Sequence, residues 1–312
     1  MMIKYDVVIC VGWKDVFIVR KAIKYIRENL SAETIYLIMN GHDKEYFHAT
    51  FCNKYKIVIL DEDKLVPNLT FKSLHEYIVK HNPLLNTGWY FQQFLKIGFA
   101  FSQYAKDYYL IWDADTLPLS KIPFEQNGKL LFTAKKEFHQ PYFYLIEKLW
   151  KIRKENNYSY IAEHMIIQTS IMKEMINSLN TDSKWFIKII DIIPQNELYG
   201  FSEFESYGTY VSHKYPNLYQ SRTLNTWRNA GAIFGRTISD KDIEKLAVDL
   251  DIISLESWCG CFFFSNIKAK FLELTLKYRR YNYMKKENMP IKRNLISNVI
   301  RYISGGKKII KV

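Results

Sequence analysis

The segment Tyr108-Tyr-Leu-Ile-Trp-Asp-Ala-Asp-Thr-Leu-Pro-Leu119 contains the pattern that decides the fold. Its first five residues are apolar or aromatic, which is typical of a strand covered on both faces of a sheet. Two carboxylates, Asp113 and Asp115, follow directly, at a spacing that puts both side chains on one side of an extended backbone. The segment therefore predicts a buried strand that ends in an acidic pair.

Other runs of strand length occur earlier in the chain, and polar residues follow two of them. Val7–Val11, Thr34–Met39 and Lys56–Leu60 are runs of strand length, and a helical pattern follows the first. Strands alternating with helices predict an α/β fold with a mainly parallel sheet and helices on both faces. Ligands bind at the carboxyl ends of such strands. Asn40 and Asp61, which follow the second and third strands, are therefore candidates for contacting a nucleoside.

The acidic pair is a candidate metal site. Asp113 and Asp115 offer hard oxygen ligands suited to Mg²⁺ or Mn²⁺, with coordination positions left for a substrate diphosphate. One alternative is an ordinary polar junction between strand and turn, because the D-x-D tripeptide is common. A phosphatase motif with an aspartate nucleophile is disfavoured, because it expects Thr or Val at the position of Leu117. The position at the ligand edge of the sheet favours the metal.

The composition excludes several classes of protein. The chain has 312 residues, 48% of them hydrophobic, so it can bury a sizeable core and is neither disordered nor a small disulfide scaffold. Its four cysteines are interpreted as thiols in a reducing compartment. No apolar run approaches the ~18 residues of a membrane-spanning helix, and the N-terminus lacks a signal-peptide pattern. We therefore expect a cytoplasmic protein.

The net charge of +12 is concentrated in residues 268–312. This segment has 13 Lys and Arg residues against two acids, which leaves the body with a net charge of +1. An apolar stripe at helical spacing runs from Leu295 to Ile303, and such a basic amphipathic helix suits an anionic membrane surface. Two alternatives are packing against the body with a solvated basic face, and single-stranded nucleic acid, which we disfavour as a partner. We predict a catalytic domain over residues 1–266 and a basic helical C-terminal appendage over residues 267–312, peripheral at the inner face of the cytoplasmic membrane.

Three short motifs occur in order along the body: Gly88-Trp-Tyr-Phe-Gln-Gln-Phe-Leu-Lys96, Trp112-Asp-Ala-Asp-Thr116 and Ser202-Glu-Phe-Glu-Ser-Tyr-Gly208. Together they resemble a bacterial family of GT-A-type glycosyltransferases, the DUF6492-like, polysaccharide-associated sugar transferases. The resemblance covers about residues 3 to 235 and does not include the basic segment.

The resemblance implies a GT-A-like, Rossmann-type sheet that binds a nucleotide-sugar donor at its edge. It implies that Asp113 and Asp115 hold the donor diphosphate through a divalent metal, and that the acceptor is a glycan or a lipid-linked saccharide. Many GT-A enzymes place a third metal ligand about ten residues beyond the position of the Glu203 and Glu205 pair, which is where His213 lies in this chain.

One helix face carries three candidate donor-binding residues. Trp89, Gln93 and Lys96 lie at positions i, i+4 and i+7, and they offer an aromatic platform, an amide and a cation for a ribose, a sugar and a phosphate. The alternative is a buried Trp with a solvated Lys.

The candidate catalytic base is one of two neighbouring carboxylates. Sugar transfer with inversion needs a carboxylate that removes the proton of the acceptor hydroxyl, and Glu203 is preferred over Glu205. In a retaining enzyme the same residue would orient the acceptor, and the alternative is a solvated acidic helix end. Together with these residues, the resemblance implies a metal-dependent glycosyltransferase of surface polysaccharide synthesis. The alternative function is a membrane- or nucleic-acid-binding protein with a non-catalytic Rossmann-like fold.

Overall fold

The computed structural model describes residues 3–181 and 183–256, together with Tyr278 and Lys285. In chain order the strands are β1 (Asp6–Val11), β2 (Ile35–Met39), β3 (Ile57–Asp61), β4 (Tyr108–Trp112), β5 (Thr116–Pro118), β6 (Glu125–Gln126), β7 (Lys129–Thr133), β8 (His164–Gln168), β9 (Tyr219–Arg222), β10 (Thr226–Trp227) and β11 (Ile252–Ser254). The α-helices are α1 (Val16–Asn29), α2 (Ala49–Tyr55), α3 (Glu62–Leu65), α4 (Phe71–His81), α5 (Thr87–Gly98), α6 (Gln140–Trp150), α7 (Thr169–Asn177), α8 (Trp185–Ile192), α9 (Glu203–Lys214), α10 (Ala230–Phe234) and α11 (Asp240–Leu246).

The central sheet has the strand order β3-β2-β1-β4-β8. Strand β1 pairs in parallel with β2 and β4, and β2 pairs in parallel with β3. Strand β8 completes the sheet antiparallel to β4. Every residue of β1 and β2 is buried, which requires cover on both faces of the sheet. The predicted α/β fold with a mainly parallel sheet flanked by helices is confirmed.

Helix α1 shows how the sequence produces this layering. Val16, Val19, Ile23 and Ile26 recur at helical spacing and are fully buried. This apolar stripe packs inward, and basic residues such as Lys24 remain on the outer face. Helix α1 therefore covers one face of the sheet as it connects β1 to the parallel strand β2.

The register of the sheet aligns the ends of its strands. Met39 pairs with Asp61 across β2 and β3, and Val11 pairs with Met39 across β1 and β2. Val8 of β1 pairs with Ile111, which is one residue before the carboxyl end of β4. The polar residues that follow β2, β3 and β4 therefore share one edge of the sheet.

The second half of the chain contains strands that the sequence pattern did not predict. Strand β8 includes an apolar run of only three residues, Met165–Ile167, too short to distinguish a strand from a buried turn. Two smaller three-stranded sheets, β10-β11-β5 and β6-β7-β9, are built in part from strands of two or three residues. Strands β5, β6 and β10 are this short and carry no readable period, so only tertiary pairing reveals them.

The described body shares one hydrophobic core, which runs from Tyr5 to Leu255. The predicted boundary near residue 267 and the basic appendage over residues 267–312 lie outside the described residues, apart from Tyr278 and Lys285. Within residues 3–181 and 183–256, no helix has the length and apolar character needed to cross a membrane.

Candidate active site

The acidic pair lies on a tight turn at the end of β4. The backbone N–H of Asp113 donates to the Glu163 carbonyl at 2.9 Å, and the N–H of Thr116 donates back to the Asp113 carbonyl at 3.2 Å. The carbonyl of Asp115 accepts from the N–H of Leu255 at 2.9 Å. These bonds fix the backbone of both aspartates at the carboxyl edge of the parallel sheet.

A buried lysine joins one of these aspartates to the predicted base. Lys96 Nζ lies 2.8 Å from Asp113 Oδ1 and 2.8 Å from Glu203 Oε1. The side chains of Lys96 and Glu203 are 4% and 5% exposed, whereas that of Asp113 is 35% exposed. Burial by itself would lower the pKa of Lys96, but the two carboxylates outweigh it and the pKa is raised. Lys96 is therefore a permanent cation between two acids.

The predicted helix face of α5 is turned toward this cluster. Trp89, Gln93 and Lys96 all line the same open cleft as Asp113 and Glu203, with a volume of about 410 Å³. Gln93 is 2% exposed, and its Oε1 accepts from the backbone N–H of Glu203 at 3.0 Å. The structure thus brings the three predicted residues together, with Gln93 holding the first turn of α9 and Lys96 holding the two carboxylates.

The two glutamates of α9 face different surroundings. Two residues along a helix correspond to a turn of about 200°, so neighbouring i and i+2 side chains point apart. Glu203 lines the cleft. Glu205 is completely buried, accepts from Ser159 Oγ and the N–H of Tyr160 at 3.0 Å each, and pairs with Lys154. Glu205 is not among the residues that line the cleft, so the structure places only Glu203 where a substrate has access.

The surroundings of Asp115 fit a cation. Burial raises its pKa well above the usual value, and the carboxylates of Asp15 and Asp113 raise it further, while Arg236 lowers it. Arg236 forms an ion pair with Asp15. Acids that repel one another in this way are stabilised by a divalent ion, and Mg²⁺ is commonly held by one or two carboxylates together with substrate phosphates and water.

The fit to a metal depends on Asp113 and Asp115 and does not extend to His213. Among the described residues, no group of three or more His, Cys, Asp or Glu side chains is arranged to hold an ion. His213 lies in the last turn of α9, with Nδ1 3.5 Å from Glu155 Oε1. Ten residues of helix separate it from Glu203, which corresponds to about 15 Å. It lines a different pocket, so its predicted place as a third ligand beside the two aspartates does not fit the structure.

Asn40 and Asp61 lie at the expected edge and form turns there. Asn40 Oδ1 accepts from the N–H of His42 at 3.1 Å, and its amide donates to Glu62 at 3.1 Å. Asp61 accepts from the N–H of Asp63 at 3.1 Å. Asn40 follows β2 and Asp61 ends β3, on the same edge of the sheet as Asp113, and their contact with a nucleoside stays a prediction.

Sequence reasoning did not identify one wall of the cleft. The segment around the start of α6 contributes Glu137, Phe138 and His139, and Tyr199 lies beside His139. Arg228 also lines the cleft, and its guanidinium pairs with both Glu137 and Glu256. Glu137, Phe138, His139 and Tyr199 lie in segments without a motif or a period, so no signal in the sequence pointed to them.

Comparison with known proteins shows the family of this chain. A family model described as a family of unknown function (DUF6492) matches residues 17–234, which is more than half of the chain. No curated protein gives a significant match.

Solved structures give remote similarities. They include mouse xyloside xylosyltransferase 1 in its apo form (12% identity, 83% of this chain and 100% of that one, TM-score 0.44). They also include the galactosyltransferase LgtC in complex with donor and acceptor sugar analogs (8% identity, 94% and 99%, TM-score 0.43). The apo glycosyltransferase GlyE of Streptococcus pneumoniae TIGR4 is a third (12% identity, 93% and 66%, TM-score 0.42). Similarity at this level carries no functional argument.

Proposed function

The chain belongs to the DUF6492 family, and we propose that it is a glycosyltransferase that moves a sugar from a nucleotide-sugar donor to a hydroxyl group of a saccharide acceptor. The observation that carries the proposal is the cluster of Asp113, Lys96 and Glu203 beside an open cleft at the carboxyl edge of a parallel sheet. This edge is where α/β sheets bind nucleotides. The cluster combines one carboxylate that can bind a metal ion with another that can accept a proton.

The donor would occupy the sheet edge around the acidic pair. Asp113 and Asp115 would hold Mn²⁺ or Mg²⁺, whose positive charge would stabilise the negative charge of the leaving diphosphate. The half-exposed carboxylate of Asp113 and the raised pKa of Asp115 support this assignment. Asn40 and Asp61 lie along the same edge and would contact the nucleoside.

The acceptor would approach through the cleft toward Glu203. Its hydroxyl oxygen forms the new bond to the anomeric carbon, while the bond from that carbon to the phosphate oxygen breaks and its electron pair leaves with the nucleoside diphosphate. Glu203 accepts the hydroxyl proton. One oxygen of Glu203 is bound by Lys96, and among the described residues no donor bonds the other. A direct displacement of this kind inverts the anomeric configuration.

The cellular setting is inferred from the sequence. A glycan or lipid-linked saccharide of a surface polysaccharide is the proposed acceptor. The excess of basic residues in 268–312 supports attachment to the inner, anionic face of the cytoplasmic membrane. Attachment would place the cleft near an acceptor carried on a lipid.

A thermal-shift panel of UDP-, GDP- and CMP-sugars, with and without Mn²⁺, tests the proposal. The wild-type chain should be stabilised by sugars of one nucleotide in the presence of Mn²⁺, and Asp113→Ala and Asp115→Ala should abolish that shift. Asp107→Ala is the matched control, because Asp107 is an exposed acid at the opposite end of β4. Equal Mn²⁺-dependent shifts in all variants, or no shift with any nucleotide sugar, would refute the assignment.

A further inference from the structure

Three aromatic side chains that keep at least part of their surface exposed line the cleft, Trp89, Phe138 and Tyr199, and we call them the aromatic rim. Phe138 is 69% exposed and Tyr199 is 44% exposed. Large apolar side chains grouped at the entrance of a cleft mark a binding surface more often than an ordinary solvent face. The charged groups Asp113 and Glu203 belong to the same cleft, so the rim is continuous with the proposed reaction centre.

The rim is held in place by its neighbours. The ring of Tyr199 packs edge-on against Trp89, with centroids 5.2 Å apart. The backbone carbonyl of Tyr199 lies 2.8 Å from His139 Nε2, and this contact joins the segment before α6 to the segment before α9. Phe138 packs against Phe143 at 4.6 Å. These contacts orient the rings before any ligand binds, which reduces the entropy cost of binding.

Polar groups line the same cleft as the rings. Gln92, Glu137 and His139 are among its lining residues. A sugar ring has an apolar C–H face and a polar hydroxyl edge, so it matches this combination of aromatic and polar groups. A lipid chain in the same place would cover these polar groups without hydrogen-bonding them, which is costly.

We propose that the aromatic rim is the acceptor subsite, and that the acceptor presents a sugar ring that stacks on Phe138 and Tyr199 with one hydroxyl directed toward Glu203. This assignment rests on the proposed function and adds the part of the cleft that selects the acceptor. Tyr199 and Phe138 determine acceptor affinity. Trp89, which the sequence pattern assigned to the donor, packs against Tyr199 and belongs to the acceptor subsite instead.

The experiment compares rim variants with an exposed tyrosine elsewhere. Phe138→Ala and Tyr199→Ala are tested against Tyr144→Ala, because Tyr144 is 45% exposed, close to the value for Tyr199, and does not line the cleft. A glycan array with the full wild-type chain identifies the oligosaccharide that binds most strongly. That oligosaccharide is then titrated calorimetrically into each variant, and the thermal shift with UDP-, GDP- and CMP-sugars plus Mn²⁺ is measured in parallel.

The two rim variants should bind the oligosaccharide about tenfold more weakly, with the nucleotide-sugar shift unchanged, and Tyr144→Ala should match the wild type. Unchanged affinity in the rim variants, an equal loss in Tyr144→Ala, or no array signal for the wild type would overturn the acceptor subsite while leaving the donor site intact. Rim-dependent binding to phosphatidylglycerol vesicles in place of glycans would also overturn it. Glycan binding without any nucleotide-sugar shift would instead refute the proposed function, and with it the acceptor role.

Discussion

The first turn of α9 carries two buried Lys–Glu pairs that differ in what surrounds them. Glu205 is fully buried, and Lys154, Ser159 and the backbone of Tyr160 bind both of its oxygens. Glu203 is almost as buried, but it lines an open cleft, and Lys96 is the one described donor to its carboxylate. Two acids only two residues apart are therefore in a closed and an open environment.

The lysines of the two pairs respond oppositely to burial. Desolvation lowers the pKa of Lys154, and the single carboxylate of Glu205 does not restore it. Desolvation acts on Lys96 too, but Asp113 and Glu203 together raise its pKa. The difference indicates that the Lys154 pair serves mainly to join α9 to the chain after α6, whereas the Lys96 cluster maintains a charged centre at the cleft.

Asp113→Asn should give the largest effect on activity. The amide keeps the size of the side chain but removes the charge that would bind a divalent ion, so sugar transfer should fall by about a thousandfold. Release of nucleoside diphosphate in the presence of Mn²⁺ measures this loss. Asp107→Asn, at the other end of β4, should retain wild-type activity. Similar rates for Asp113→Asn and the wild type would exclude Asp113 from the reaction.

Lys96→Met should destabilise the chain by about 3–5 kcal/mol, because it leaves two buried or half-buried carboxylates without a cation. Mn²⁺ should then raise the melting temperature more in the variant than in the wild type, since the ammonium no longer competes for Asp113. Lys106→Met is the matched control, because Lys106 also bridges two acids, Asp6 and Glu33, away from the cleft. An equal response of both variants to Mn²⁺ would contradict the assignment of Asp113 to the metal.

Glu205→Gln should reduce the free energy of unfolding by about 3 kcal/mol, because Lys154 then remains buried without a charged partner. Urea denaturation measures the loss. Adding Lys154→Met to this variant should recover part of the stability, because the unpaired charge is removed. A double variant no more stable than Glu205→Gln would show that packing rather than charge explains the effect.

The smallest expected effect is a pH dependence of the Lys154 pair. The pKa of Lys154 in the folded chain lies below its ordinary value of 10.5 because it is buried. The folded state therefore releases this proton first, and the free energy of unfolding gains a contribution that rises with pH between the folded pKa and 10.5. Lys154→Arg stays charged and lacks this contribution. Urea denaturation from pH 8 upward should show the wild type gaining stability relative to Lys154→Arg, and a constant or falling difference would contradict the lowered pKa.

Local patterns in the sequence predicted the sheet edge and the helix face. The apolar run before Asp113 and the helical spacing of Trp89, Gln93 and Lys96 are properties of short segments, and the structure reproduces both. The chemical role of Lys96 was not predictable, because its partner Glu203 is 107 residues away in the chain.

Other features depended on tertiary contacts or on helix length. The sequence offered Glu203 and Glu205 as near equivalents, and only the packing of α9 decides which one reaches the cleft. His213 was implied as a metal ligand by the resemblance to GT-A enzymes, but α9 continues without a break and carries it away from Glu203. The cleft wall around Phe138 has no period or motif that could have marked it.

The most direct test of the account is the turnover of Glu203→Gln and Glu205→Gln, each corrected for the folded fraction measured by circular dichroism. With a nucleotide sugar and Mn²⁺, we expect Glu203→Gln to lower kcat by about 100-fold or more, since it loses the proton acceptor. Glu205→Gln should keep close to wild-type turnover per folded molecule despite its lower stability. Equal turnover for the two variants, or a larger loss in Glu205→Gln, would contradict the claim that the cleft at Lys96, Asp113 and Glu203 is the catalytic centre.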